Sequence, residues 1–72
     1  MAVKPFDLVH KCLQKEVLVT MKGGSAFSGT MESYDENLNL FLSDAKELKE
    51  PVRGFKHLVI KGGNVISISP VE

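Results

Sequence analysis

The residues of this chain with chemical capacity fall in a few places. His10, Cys12 and His57 could ligate a metal or supply a nucleophile and its base. Gly62-Gly63 could cradle a phosphate, Lys61 stands just before it, and Asp35, Asn37 and Asn39 bunch as alternating hydrogen-bonding side chains. A structural zinc site wants four ligands at recognisable spacings, which these scattered residues do not offer. No nucleophile has a base at a suggestive position and no carboxylates pair on a plausible cleft, so no catalytic set emerges. Gly62-Gly63 opens no helix and lacks the surrounding signature of a phosphate loop, which makes it a hairpin turn. Taken alone, Asp35 reads as a turn residue, Asn39 as a strand or turn asparagine holding a backbone amide, and Lys61 as an exposed lysine at a strand end.

The elements that would position these groups must be small. With 72 residues the chain has room for one domain, spanning 1–72, and hides a modest share of its surface when folded alone. Chains of this size gain stability from disulfides, a metal or oligomerisation. A single cysteine, Cys12, forms no internal disulfide, and a lone thiol among apolar residues is most often a small core residue. With metal also disfavoured and no cofactor implied, oligomerisation is what remains. Nine basic and nine acidic residues cancel, so there is no global basic field, and any nucleic acid would bind at a local site. No apolar run approaches the roughly 18 to 20 residues of a spanning helix, so no membrane partner is expected and the protein reads as cytosolic.

Phe6, Val9 and Leu13 recur at three- and four-residue steps with Leu8 and Cys12 beside them, which predicts one short helix over 4–13. Pro5 suits its first turn, Asp7 its N-terminal end and Lys11 its C-terminal end. Too short to stand alone, it should lie on a sheet. Alternation then predicts a strand over 16–22, a tight hairpin at Gly23-Gly24 and a second strand over 26–34. Gly29 inside that strand signals a sharp bend or a close backbone approach. Asp35-Glu36-Asn37 makes a turn, and a third strand starts at Leu38, with Leu38, Leu40 and Leu42 on one face, and runs towards Leu48. Gly54 marks a further turn, Phe55 to Lys61 a fourth strand, Gly62-Gly63-Asn64 another turn, and Val65 to Ser69 a fifth strand stopped by Pro70. Met21 and Met31 read as fillers of the core or of a subunit contact. A helix followed by five short strands with glycine corners predicts a mostly β chain, a strongly bent five-stranded antiparallel sheet or partly open, SH3-like small barrel.

In such a barrel the fourth and fifth strands are joined by a brief turn, so at least one of them is an exposed edge. The segments 58–60 and 65–68 are apolar and free of proline, the reverse of how monomers protect an edge. Pairing one subunit's edge with the next, head to tail, predicts a cyclic oligomer.

Two segments carry a resemblance. Gly29-Thr30-Met31 with Tyr34-Asp35-Glu36-Asn37-Leu38-Asn39-Leu40, in the region 16–43, resembles the first motif of the Sm/LSm family. Leu58-Val59-Ile60-Lys61-Gly62-Gly63-Asn64-Val65-Ile66, in the region 55–69, resembles the second. The start Pro5-Phe6-Asp7-Leu8-Val9-His10 and the short link between the third and fourth strands look like those of archaeal Sm-like proteins, so the likeness covers essentially the whole chain.

The resemblance implies a homo-oligomeric, heptameric ring that binds uridine-rich single-stranded RNA at its inner rim, in RNA processing, turnover or chaperoning. Carried over by position, Asn37 and Lys61 would sandwich a uracil and Asn39 would read its edge. Asp35 would brace the turn, and Gly62 would let the backbone pass close to the base. The asparagine amide has one acceptor and two donors, which suits uracil's carbonyl and imino groups better than cytosine's edge. The rim lysines would create a positive pore without a basic whole. Three positions depart from the family pattern: Asn37 stands where archaeal members often have histidine, Lys61 where arginine is usual, and Gly63 where an acidic residue often follows the glycine. A stacked base is worth about 1–3 kcal/mol, so losing both platforms weakens each pocket about ten-fold or more.

Lys4, His10 and Tyr34 could form a second RNA surface where the helix meets the end of the second strand; a solvated helix and an interface tyrosine explain them equally well. The rival functions are a structural or protein-interaction ring with weakened RNA pockets and a monomeric SH3-like adaptor. The latter's aromatic groove is missing, since tryptophan is absent and Tyr34 is the single tyrosine.

Overall fold

The computed structural model describes residues 5–71, and the side chains of Phe6 and Leu8, like Lys4, lie outside the described part. Helix α1 (Pro5–Lys11) precedes strands β1 (Glu16–Met21), β2 (Ala26–Tyr34), β3 (Leu40–Glu47), β4 (Arg53–Ile60) and β5 (Val65–Pro70). The strands form one antiparallel sheet in the order β4-β3-β2-β1-β5. The expected mostly β architecture is therefore observed, with the helix ending earlier than its apolar spacing predicts. After Lys11 the Cys12 and Leu13 amides donate to Val9 and His10 carbonyls, and Gln14, left-handed at φ 64°, turns the chain so that its amide donates to Met31 O at 2.7 Å. The sheet thus captures the chain before a further helical turn can form.

Alternation buries Val17 and Val19 of β1, Met31 of β2, Leu40 and Leu42 of β3 and Ile60 of β4, and the helix and the turn after it lay Val9 and Cys12 on them. Each fully buried side chain of this size contributes about 1.5–3 kcal/mol, so a core of so few residues is thin. Met31 is part of that core and Met21 packs half-buried against it.

The bend comes from two irregularities. Ser28 pairs with Lys46 and Thr30 with Ser43, so Gly29 faces both Asp44 and Ala45, and Asp44 takes φ 48°. A Cβ on Gly29 would stand 3.0 Å from both Cα and Cβ of Ala45, which is why a glycine sits in mid-strand. The second bulge falls at Glu32, between the Met31–Leu42 and Ser33–Phe41 pairs.

Two expectations are corrected. Gly54 is not a turn; it lies inside β4, opposite Lys46, because the hairpin extends two residues further than alternation signals. Leu38 does not begin β3. It adopts φ 60° in the turn before it, its amide donating to Asp35 O at 2.9 Å. β4 and β5 do not pair with each other: they are the two opposite edges, with Val59 58% and Ile66 64% exposed. Among the described residues no helix is long and apolar enough to cross a membrane.

Candidate nucleic-acid interface

β3 begins where β4 ends, with buried Leu40 paired to buried Ile60. The turn that enters β3 and the turn that leaves β4 are therefore stacked side by side above that pair. In the first turn Asp35 is the organiser. Its Oδ1 accepts from the backbone N–H groups of Asn37 at 2.9 Å and Asn39 at 3.0 Å, and its Oδ2 accepts from Asn39 Nδ2 at 2.9 Å. This is the Asx-type capture of backbone donors that aspartate provides, and it forces the left-handed kink at Leu38. The hydrogen bonds from the Asn39 side chain, the Asn39 amide and the Asn37 amide hold the Asp35 carboxyl below the ordinary carboxylate range.

Gly62 brings in the second turn. Its backbone N–H donates to Asn39 Oδ1 at 2.9 Å. A Cβ there would collide with the Asn37 carbonyl and lie 2.6 Å from the Leu38 carbonyl, so only glycine permits the turns to touch. The 3₁₀ turn Gly62–Asn64 is closed by the Asn64 amide donating to Lys61 O at 3.0 Å. Lys61 itself is extended and exposed at the mouth of this junction.

Asp35 thus holds Asn37 and Asn39, and Asn39 holds Gly62, with Lys61 next to Gly62 in the chain. Within the chain, the close approach that Gly62 permits is to the Asn37 and Leu38 carbonyls. Asp35 spends its carboxylate on the turn. Asn39 is also more committed than its amide inventory suggests: with Nδ2 bound to Asp35 and Oδ1 to Gly62, one N–H and one lone pair remain. A carboxylate only accepts and a backbone N–H only donates, so the carboxamide is held in one orientation. The carbonyl of Leu38 and the amide of Gly62, both backbone groups, were not among the expected contributors. Asp35-Glu36-Asn37 signals the turn, but no local signal pairs it with Gly62.

Beside this turn, His10 Nδ1 lies 3.0 Å from Tyr34 Oη, and the two rings meet edge-on at 6.3 Å and 87°. The helix and the end of β2 therefore do bring His10 and Tyr34 together, while Lys4 falls outside the described residues. His57 is remote from both groups, on β4 opposite Ser43, and Cys12 is buried in the core. Among the described residues no cluster of His, Cys, Asp or Glu could hold a metal ion.

The LSM domain pattern matches residues 7–70, both stacked turns included. The chain belongs to the LSM family. A Thermococcus sibiricus protein described as snRNP Sm-like is 46% identical across the whole of this chain and 97% of its own length. Among solved structures, the Pyrococcus abyssi Sm protein in complex with a uridine heptamer superposes with a TM-score of 0.87 at 39% identity, covering 96% of this chain and all of that one. A heptameric archaeal Sm protein superposes at 0.82 with 34% identity, covering 89% of this chain and 96% of its own. The bent sheet, its short helix and its exposed edges are thus those of an LSM protein.

Proposed function

We propose that this LSM chain closes head to tail into a homo-heptameric ring and binds uridine-rich single-stranded RNA at the inner rim. The chain is an RNA-binding Sm-like protein in its family, its fold and its similarity to a uridine-bound relative. The site reading rests on the clamp of Asn39 between Asp35 and Gly62. Held in one orientation, the carboxamide offers one donor and one acceptor. Uracil meets them with a carbonyl and an imino N–H. Cytosine presents the reverse order on the matching edge, which a flipped amide would suit and a clamped one does not. Asn37 and Lys61 flank the base, and Lys61 attracts backbone charge without stacking as arginine would. His10 and Tyr34, which meet beside the Asp35 turn, form a second contact beside each pocket; Lys4, read with them from the sequence, lies outside the described residues. We read the whole chain, 1–72, as one such domain, cytoplasmic and without catalytic activity.

The exposed, apolar edges β4 and β5 support the ring: Val59 and Ile66 stand on strands whose outer backbone groups lack a neighbour within the sheet. A second reading, a structural or protein-interaction ring with weakened pockets, draws on Asn37, which lacks an aromatic ring, and Lys61, which lacks the guanidinium plane of arginine. Titration of the assembled protein with oligouridine, oligocytidine and oligoadenosine separates the two. Preference for oligouridine, declining with salt, is the expected result; equal affinities, or no binding at moderate salt, would favour the structural ring.

A further inference from the structure

Most glycines of this chain are explained by its own fold. Gly23 and Gly24 have φ of 87° and 95°, and Gly29 and Gly62 allow backbone contacts that a Cβ would obstruct. Gly63 has neither reason but stands in the turn Gly62–Asn64, whereas Gly54 has neither reason and stands in a strand. It lies within β4 without a left-handed φ, and a Cβ added to it would meet just Ala45 O, at an ordinary 3.9 Å. A glycine in a strand interior weakens the strand and often marks a place where another molecule comes close.

What surrounds Gly54 gives that molecule a chemistry. Beyond the bulge at Asp44 the outer face of the sheet carries Asp44 and Lys46 on β3 and Gly54 and Lys56 on β4. Lys46 is directly opposite Gly54, and the flanking pairs Ser43–His57 and Ala45–Phe55 set Asp44 opposite Lys56. These residues, with Ala45 and Phe55, line an open recess of about 350 Å³. Lys46 and Lys56 are diagonal neighbours, a relation that puts Cβ atoms roughly 7–8 Å apart across a sheet. Both are exposed, and among the described residues no ion pair occupies either of them.

We propose that this recess is a further RNA contact, distinct from the Asn39 pocket and from the His10–Tyr34 contact, in which a ribose-phosphate unit lies over the bare backbone of Gly54 with its phosphate between Lys46 and Lys56. The recess is several strand residues along β3 from Asn39, roughly 15–20 Å at the usual rise. An RNA long enough to leave the rim pockets reaches it; one that just fills them does not. Asp44 subtracts one charge, so each copy holds phosphate weakly, and repetition around the ring supplies the avidity. This inference rests on the ring's binding RNA, as proposed above.

The test compares heptauridine with a uridine 30-mer on the assembled protein. Gly54→Ala adds a methyl that the strand accommodates, so melting temperature stays level or rises, while affinity for the 30-mer falls. Lys46→Glu with Lys56→Glu lowers 30-mer affinity by about ten-fold and flattens its salt dependence, and Asp44→Asn, which suits the left-handed φ, raises that affinity. Heptauridine binding is unchanged in all three. An unaltered ratio of 30-mer to heptauridine affinity across these variants overturns the recess. So does a change of oligomeric state in Gly54→Ala by native mass spectrometry, which would assign the notch to a neighbouring subunit. Failure of the parent protein to bind heptauridine is a separate result, and it removes the pocket reading along with the recess.

Discussion

The backbone N–H of Gly62 donates to Oδ1 of Asn39 across 2.9 Å, joining two turns whose residues stand 23 apart in the chain. On its other side the same carboxamide donates to Asp35, so Asn39 is both the tie between the turns and the group proposed to read a base.

Asn39→Ala therefore acts twice. It removes the remaining N–H and lone pair, weakening uridine binding by about 1–2 kcal/mol. It also strips the Gly62 amide of its partner, so the melting temperature falls although the ring, built on distant edges, persists. Fluorescence titration with oligouridine and a melting curve on the same sample measure the two effects; unchanged uridine affinity would move the site elsewhere.

Asp35→Asn separates orientation from presence. The new amide can donate as well as accept, so it no longer dictates which way Asn39 points, and the charge that strengthened the turn is gone. Oligouridine still binds, but its advantage over oligocytidine shrinks by roughly two- to ten-fold. Parallel titrations with the two homopolymers provide the check, and an intact preference would show that Gly62 alone holds the amide.

The acid limb follows from the same carboxylate. Its proton affinity is lower folded than unfolded, because the folded turn hydrogen-bonds the ionised form. The contribution to stability is thus fully present above the unfolded pKa and is lost as pH falls through the lower, folded value. Stability should hold at mildly acidic pH and decline below the ordinary carboxylate range, and Asp35→Asn should lack this component. Melting temperatures of both proteins across that range test it; parallel curves would assign the acid response to other carboxylates.

Gly62→Ala has a steric meaning independent of RNA. The methyl enters the space held by the Asn37 and Leu38 carbonyls, and relieving the overlap means parting the turns at a cost of about 1–3 kcal/mol. Gly63→Ala, one residue on, meets nothing within 4 Å. The first variant should melt earlier and lose oligouridine affinity, the second should do neither, and equal behaviour in calorimetry would contradict the packing described.

Assembly is tested at the edges. A lysine at Val59 or Ile66 guards an edge strand as monomeric β proteins do, while each side chain is already more than half exposed and owes little to the subunit core. Native mass spectrometry should register smaller species for Val59→Lys and Ile66→Lys with the monomer fold intact by circular dichroism. Persistence of the full ring in both would exclude β4 and β5 as the contact.

Much of this protein is legible in one dimension, because the signals are local. Period-two alternation places β1 and β2 within a residue of their observed ends, and Asp35-Glu36-Asn37 marks a turn, since an aspartate captures nearby backbone amides without help from the rest of the chain; that the turn runs on through Asn39 is seen only in the structure. The two motifs in order identify the family. Only the tertiary structure decides what Gly54, Leu38 and Asn39 do. Gly54 reads as a turn until hairpin pairing with Lys46 makes it strand, and Leu38 reads as an inward strand residue until Asp35 kinks it out of register. The sequence determines that Asn39 has an amide to offer; that half of it is already committed depends on Gly62 arriving from the far end of β4, and hydrogen bonds between segments distant in sequence exist only once the sheet has closed around its core.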